Sequence, residues 1–148
     1  MPTTDDLPFI DEHSVPIDAD SGIVWDALVR SFRRSSNGAA RFARLLGCDP
    51  LERSEAFDGR VGESVPGFRV AYADRGRTLA LTGRHRFARY ALTFEIHDGR
   101  LRALTHAAFP GLRGAIYKAA VIRSGAHSVV TRRMLRRITA TTSRRTPS

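Results

Sequence analysis

Arg123 and His127 stand one helical turn apart inside an otherwise apolar C-terminal periodicity. At 100° per residue, Arg123 falls about 20° from the line through Leu112 and Val130, and His127 about 60° from it, so the two side chains can meet on the apolar face. A cation there is costly unless an anion pairs it. Every acid of the chain precedes residue 99. The partner is then Asp11, Glu12, Glu95 or a ligand's carboxylate, phosphate or enolate, with His127 as hydrogen-bond partner or proton carrier. The plainer account is a register shift at Gly125, or an arginine that snorkels past the sheet edge.

A second cluster is Arg84-His85-Arg86 with Arg89. On strand parity His85 shares a face with Leu79 and Leu81, and Tyr90 shares one with Leu92 and Phe94. His85 and Tyr90 are therefore candidates to orient a mostly apolar ligand. The arginines read as pocket-mouth guards or, more simply, as a solvated turn. His13, His85, His97, His106 and His127 never pair at a metal-ligating spacing, and one cysteine, Cys48, excludes a multi-cysteine zinc site. Cys48 has no neighbouring base, no Gly-x-Ser-x-Gly elbow occurs, and Gly59 and Gly62 lack the strand-loop-helix context of a phosphate loop. The expectation is no metal, no cofactor and no recognisable catalytic set.

These residues must be positioned by a particular order of elements. Phe9 to Ile17 reads as a strand, with Phe9, His13, Val15 and Ile17 on one parity. Asp18 or Asp20 can cap a helix over about Ser21 to Arg34, whose Ile23, Val24, Ala27, Leu28 and Phe32 fall at helical spacing. Ala39 to Leu46 makes a second short helix, stopped by Gly47 and Pro50. The middle alternates: Phe68, Val70 and Tyr72; Leu79 and Leu81; Tyr90, Leu92, Phe94 and Ile96; then Leu101, Ala103, Thr105, Ala107 and Phe109. Asp98-Gly99 is a tight hairpin signal between the last two runs. From Leu112 to Ile138 the period becomes helical, through Ala115, Ile116, Ala119, Ile122, Ala126, Val129, Val130 and Met134. Residues 1–8 and 140–148 are too polar to order themselves, which leaves one domain over 9–139 between a frayed N-terminus and a basic disordered tail.

A chain of 148 residues with 42% hydrophobic content has enough apolar surface for one core. No apolar run approaches the ~18–20 residues that span a bilayer. No basic, then apolar, leader opens the sequence, so cytoplasm is the expected compartment. The net charge of +9 is concentrated. Residues 99–148 carry eleven bases and no acid, and Lys118 is the only lysine of the chain. Arg113, Lys118, Arg132, Arg136, Arg144 and Arg145 would form a phosphate-binding stripe on the outer side of the last helix. It lacks interleaved aromatics and base-reading side chains, which disfavours nucleic acid and leaves a solvated, composition-biased face.

The order strand, two helices, antiparallel strands, long helix carries a resemblance. Val15-Pro16-Ile17-Asp18-Ala19 leads into Val24-Trp25-Asp26-Ala27-Leu28. Leu79-Ala80-Leu81-Thr82-Gly83, Leu92-Thr93-Phe94-Glu95-Ile96 and Phe109-Pro110-Gly111 follow in order. Over about residues 9–138 the chain resembles the START-like superfamily, also called SRPBCC or polyketide cyclase/dehydrase-like, and within it small bacterial members. The resemblance implies an α+β helix-grip fold: a curved antiparallel sheet wrapped around a long C-terminal helix, with two short helices after the first strand. It also implies a small hydrophobic or amphipathic ligand, lipid- or polyketide-like, in a cavity between sheet and helix. The lining expected here is Trp25, Phe68, His85, Tyr90, Leu92 and Phe94 from one side and Ile116, Ala119, Arg123, His127 and Val130 from the helix. The superfamily has no shared catalytic motif, so a cyclase or dehydrase activity is the alternative to binding, and an interaction role for the basic helix comes third. Nothing in the sequence sets an oligomeric state.

Overall fold

The computed structural model describes residues 7–34, 37–109 and 126–143. Strand β1 (Phe9–Pro16) is followed by helices α1 (Ser21–Arg33) and α2 (Asn37–Leu46). Strands β2 (Ser64–Val65), β3 (Phe68–Asp74), β4 (Thr78–Arg84), β5 (Arg89–His97) and β6 (Arg100–Ala108) come next, and helix α3 (Ala126–Ser143) is last. The six strands form one antiparallel sheet in the order β1-β6-β5-β4-β3-β2. The period-2 pattern explains its faces. Along β6, Leu101, Ala103, Thr105 and Ala107 are buried while the residues between them are not. Their partners on β5 are Ile96, Phe94, Leu92 and Tyr90. Asp98 and Gly99 both have left-handed φ, 51° and 69°, which the two-residue turn between β5 and β6 requires.

The inner face of this sheet is covered by two helices rather than by the last one alone. The amphipathic pattern of α1 buries Val24, Trp25, Ala27, Leu28, Val29 and Phe32, and these join Leu79, Leu81, Phe94, Ile96 and Leu101 of the sheet and Leu135 and Ile138 of α3 in a single core. Asp20 stands at the N-cap of α1, but its side chain makes no capping hydrogen bond.

Four details depart from the sequence pattern. A bulge between Val70 and Tyr72 shifts the register of β3, so Ala73 rather than Tyr72 follows Val70 onto the inner face, opposite Leu79. Tyr72 stands opposite Ala80 and is 55% exposed. The two-residue strand β2 is too short to carry a period. Leu7 is buried, and the Pro8 carbonyl accepts the Ala107 N–H at 2.9 Å. Finally, α3 continues to Ser143, with the Thr139 hydroxyl donating back to the Leu135 carbonyl at 2.9 Å.

Candidate functional site

The inner sheet face divides in two. Beneath α1 it is sealed: Leu79, Leu81, Phe94 and Leu101 are at most 1% exposed. Toward the β4–β5 turn it is half-buried, at Phe68, His85, Phe87, Tyr90 and Leu92. The four rings among them form a connected group. The Phe68 and Tyr90 rings meet edge to face at 5.3 Å, His85 lies 5.5 Å from Tyr90, and Phe87 lies 6.0 Å from His85. Phe32 of α1 joins this group to the core, 5.9 Å from Phe68 and 5.8 Å from Phe94.

Tyr90 is held by a glycine. It pairs across the sheet with Gly83, and its hydroxyl donates to the Gly67 carbonyl at 2.6 Å. A Cβ on residue 83 would lie 2.1 Å from the Gly67 carbonyl oxygen and 2.8 Å from the Tyr90 ring. The ring thus crosses β4 through the space a side chain would occupy, an aromatic–glycine pairing. Gly67 itself has φ of 91°, a value glycine adopts at no steric cost. The Cys48 thiol is 3.9 Å from the Tyr90 hydroxyl, and burial pushes its pKa up, so it is a packed thiol and not a thiolate nucleophile.

His85 does not continue strand β4. It begins the turn, with its N–H donating to the Ala88 carbonyl at 2.9 Å, and its Nδ1 accepting the Phe87 N–H at 3.0 Å. That contact assigns the ring proton to Nε2. Burial holds the imidazole below its usual 6.5, so it presents a neutral donor beside the aromatic rings. The unfolded chain therefore binds a proton near pH 6.5 that the folded chain takes up only at lower pH, and stability falls as pH drops below about 6.5. His85→Asn keeps a short acceptor for Phe87 and removes the titration. Between about pH 7.5 and about pH 5 the variant is expected to lose less stability than the parent, measured by urea unfolding. Equal losses would show that His85 is not the group that titrates.

The arginines of this turn have separate occupations. Arg84 pairs with Asp49 at 3.0 Å, and the Arg86 side chain packs over Gly47. Arg84, Arg89 and Arg69 rim an open groove of about 260 Å³ whose remaining walls include Leu7, Pro50, Gly83 and Tyr90.

The structure thus brings Phe68, His85, Tyr90 and Leu92 together, and it places Trp25 and Phe94 in the packed core, 3% and 1% exposed, because α1 lies over that part of the sheet. Ile116, Ala119 and Arg123 lie outside the described residues. His127 and Val130 lie on α3, and their side chains are outside those described. Of the acids expected to pair a buried arginine, Glu12 and Glu95 both hold Arg102, at 2.7 and 3.1 Å, and Asp11 contacts His13 at 3.3 Å. Arg102 keeps the Glu12 carboxyl below its usual range, chiefly through that hydrogen bond. Sequence reasoning missed Gly83, Gly67 and Phe87. Only Gly83 left a signal, as a glycine within a strand pattern.

A strand, two helices, an antiparallel meander closing back on the first strand, and a terminal helix packed against the sheet are the architecture of an α+β helix-grip fold. The chain is similar in structure to protein CV1439 from Chromobacterium violaceum, with a TM-score of 0.53 and 14% identity over 91% of this chain and 98% of that one. That likeness is one of fold. A protein from Mesorhizobium loti aligns with a TM-score of 0.49, at 13% identity over 93% of this chain and 98% of its own. A polyketide-cyclase-like protein from Corynebacterium glutamicum aligns with a TM-score of 0.38, at 16% identity over 87% and 88%. No protein-family model and no curated protein matches the chain. Among the described residues no helix is long and apolar enough to cross a membrane.

Proposed function

We propose that the protein binds a small apolar or aromatic molecule, lipid- or polyketide-like, against the half-buried end of the inner sheet face. One observation carries the reading. Phe68, Tyr90, Leu92 and His85 keep accessible surface in a contiguous group while their neighbours Leu79, Leu81 and Phe94 are sealed. A mostly apolar wall with one neutral donor is the usual chemistry of such sites. Tyr90 orients the wall without spending its hydroxyl on the ligand, since that group is committed to Gly67. His85, 5.5 Å from the Tyr90 ring, is the polar side chain of that wall. In the same proposal Arg123 and His127 select a ligand with an acidic head.

The test uses the neutral fluorophore N-phenyl-1-naphthylamine. Parent protein is expected to bind it in the micromolar range, which corresponds to roughly −8 kcal/mol. Leu92→Trp fills the half-buried space and is expected to weaken binding at least tenfold, with melting temperature little changed. Phe42→Ser, on an exposed position of α2, is expected to leave the affinity unaltered. Equal affinity in parent and Leu92→Trp would remove this face as the site.

A further inference from the structure

A second cleft lies at the β1 edge of the sheet, where β1 meets α3. The register of β1 turns Asp11, His13 and Val15 toward the inner face, opposite Thr105, Ala103 and Leu101. His13 is partly buried, with 12% of its side chain exposed. Its Nε2 contacts the Asp11 carboxylate at 3.3 Å, and its Nδ1 accepts from the Arg132 Nε at 3.5 Å. A carboxylate on one ring nitrogen fixes which face the other presents. His13 lines a cleft of about 310 Å³ between β1 and α3, together with Glu12, Ser14, Val15, Arg132, Leu135 and Arg136.

The charges of this cleft do not balance. Arg132 and Arg136 are one helical turn apart on α3 and both reach it. Neither has a carboxylate partner among the described residues. The acids nearby are already engaged: Asp11 by His13, and Glu12 by Arg102 at 2.7 Å. The Ser14 hydroxyl is likewise engaged, accepting from Arg100 at 2.9 and 3.3 Å. Among the described residues Arg132 makes one contact, at the outer limit of hydrogen bonding, to the His13 Nδ1. Guanidinium groups bond oxyanions at shorter distances and about twice as strongly, in paired geometry.

We infer that this cleft is a binding site for an oxyanion, the phosphate or carboxylate group of a small molecule, bridged by Arg132 and Arg136 with His13 at its back. Val15, half-buried beside them, gives the remainder of such a molecule an apolar contact. The site is separate from the aromatic end of the sheet and stands or falls independently of it.

The experiment titrates the isotopically labelled full chain with sodium phosphate, and in a second arm with sodium acetate. Sodium chloride holds ionic strength constant, and the His13 ring signals are followed by NMR. Phosphate is expected to shift them saturably, with a Kd of roughly millimolar order. Tighter binding of phosphate than of acetate identifies a phosphate site, and the reverse identifies a carboxylate site. Arg132→Gln with Arg136→Gln is expected to weaken binding at least tenfold. Arg133→Gln with Arg137→Gln removes the same charge from α3 without touching the cleft walls and is expected to change the Kd less than twofold. Unsaturable shifts that chloride reproduces, or equal weakening by the two double variants, would overturn the inference.

Discussion

Gly83→Ala is expected to lower the unfolding free energy by about 3–5 kcal/mol, the sum of overpacking and of a buried hydrogen bond broken to relieve it. The new methyl carbon would sit 2.1 Å from the Gly67 carbonyl oxygen, which is backbone and cannot rotate away. The alternative is to displace the Tyr90 ring, at 2.8 Å, and lose its 2.6 Å hydrogen bond to Gly67. At roughly 2–4 °C per kcal/mol for a chain of this size, the melting temperature should drop by about 10 °C. Tyr90→Phe separates the contributions, since it removes only the hydroxyl and should cost about 1.5 kcal/mol. Urea unfolding of both variants and their combination measures the coupling. A loss below about 1 kcal/mol for Gly83→Ala would show that Tyr90 does not cross the sheet there.

Phe94→Ala is expected to cost about 3–5 kcal/mol, the range for truncating a fully buried aromatic side chain. Phe94 is 1% exposed and its ring lies 5.8 Å from that of Phe32. Its cross-strand partners are Leu79 and Ala103. Ala103 is too small to close the void, so relaxation must come from Phe32 and Leu79. Leu92→Ala, two residues earlier on the same face but half-buried, should cost about half as much or less. Equal losses at the two positions would mean that the inner face is uniformly packed and that the division into sealed and half-open halves is wrong.

Much of this arrangement is legible in the sequence because it rests on local periodicity. The run Tyr90, Leu92, Phe94, Ile96 and the Asp98-Gly99 turn define the central hairpin, and the apolar spacing from Ile23 to Phe32 defines α1 within a residue or so. That same spacing does not tell which wall the helix meets. Trp25 is expected in the cavity lining, and the docking of α1 on the sheet places it in the core instead. Tyr72 alternates with Phe68 and Val70 on paper, but a bulge turns it outward. The bond joining Tyr90 to Gly67 and the contact of His13 with Arg132 span 23 and 119 residues. No local pattern carries information over such separations. Strand parity puts His85 on β4 beside Leu79 and Leu81, whereas it belongs to the turn and reaches the Tyr90 ring from there.

The proposed ligand site is tested most directly by locating a bound neutral aromatic molecule on the protein. Intermolecular nuclear Overhauser contacts from N-phenyl-1-naphthylamine in the labelled full chain give that location. The expected contacts are to the rings of Phe68, Tyr90 and His85 and to the methyl groups of Leu92, with none to Leu101 of the sealed core. Contacts confined to Phe42 and Leu45, the exposed apolar side chains of α2, would show surface adsorption and contradict the proposal.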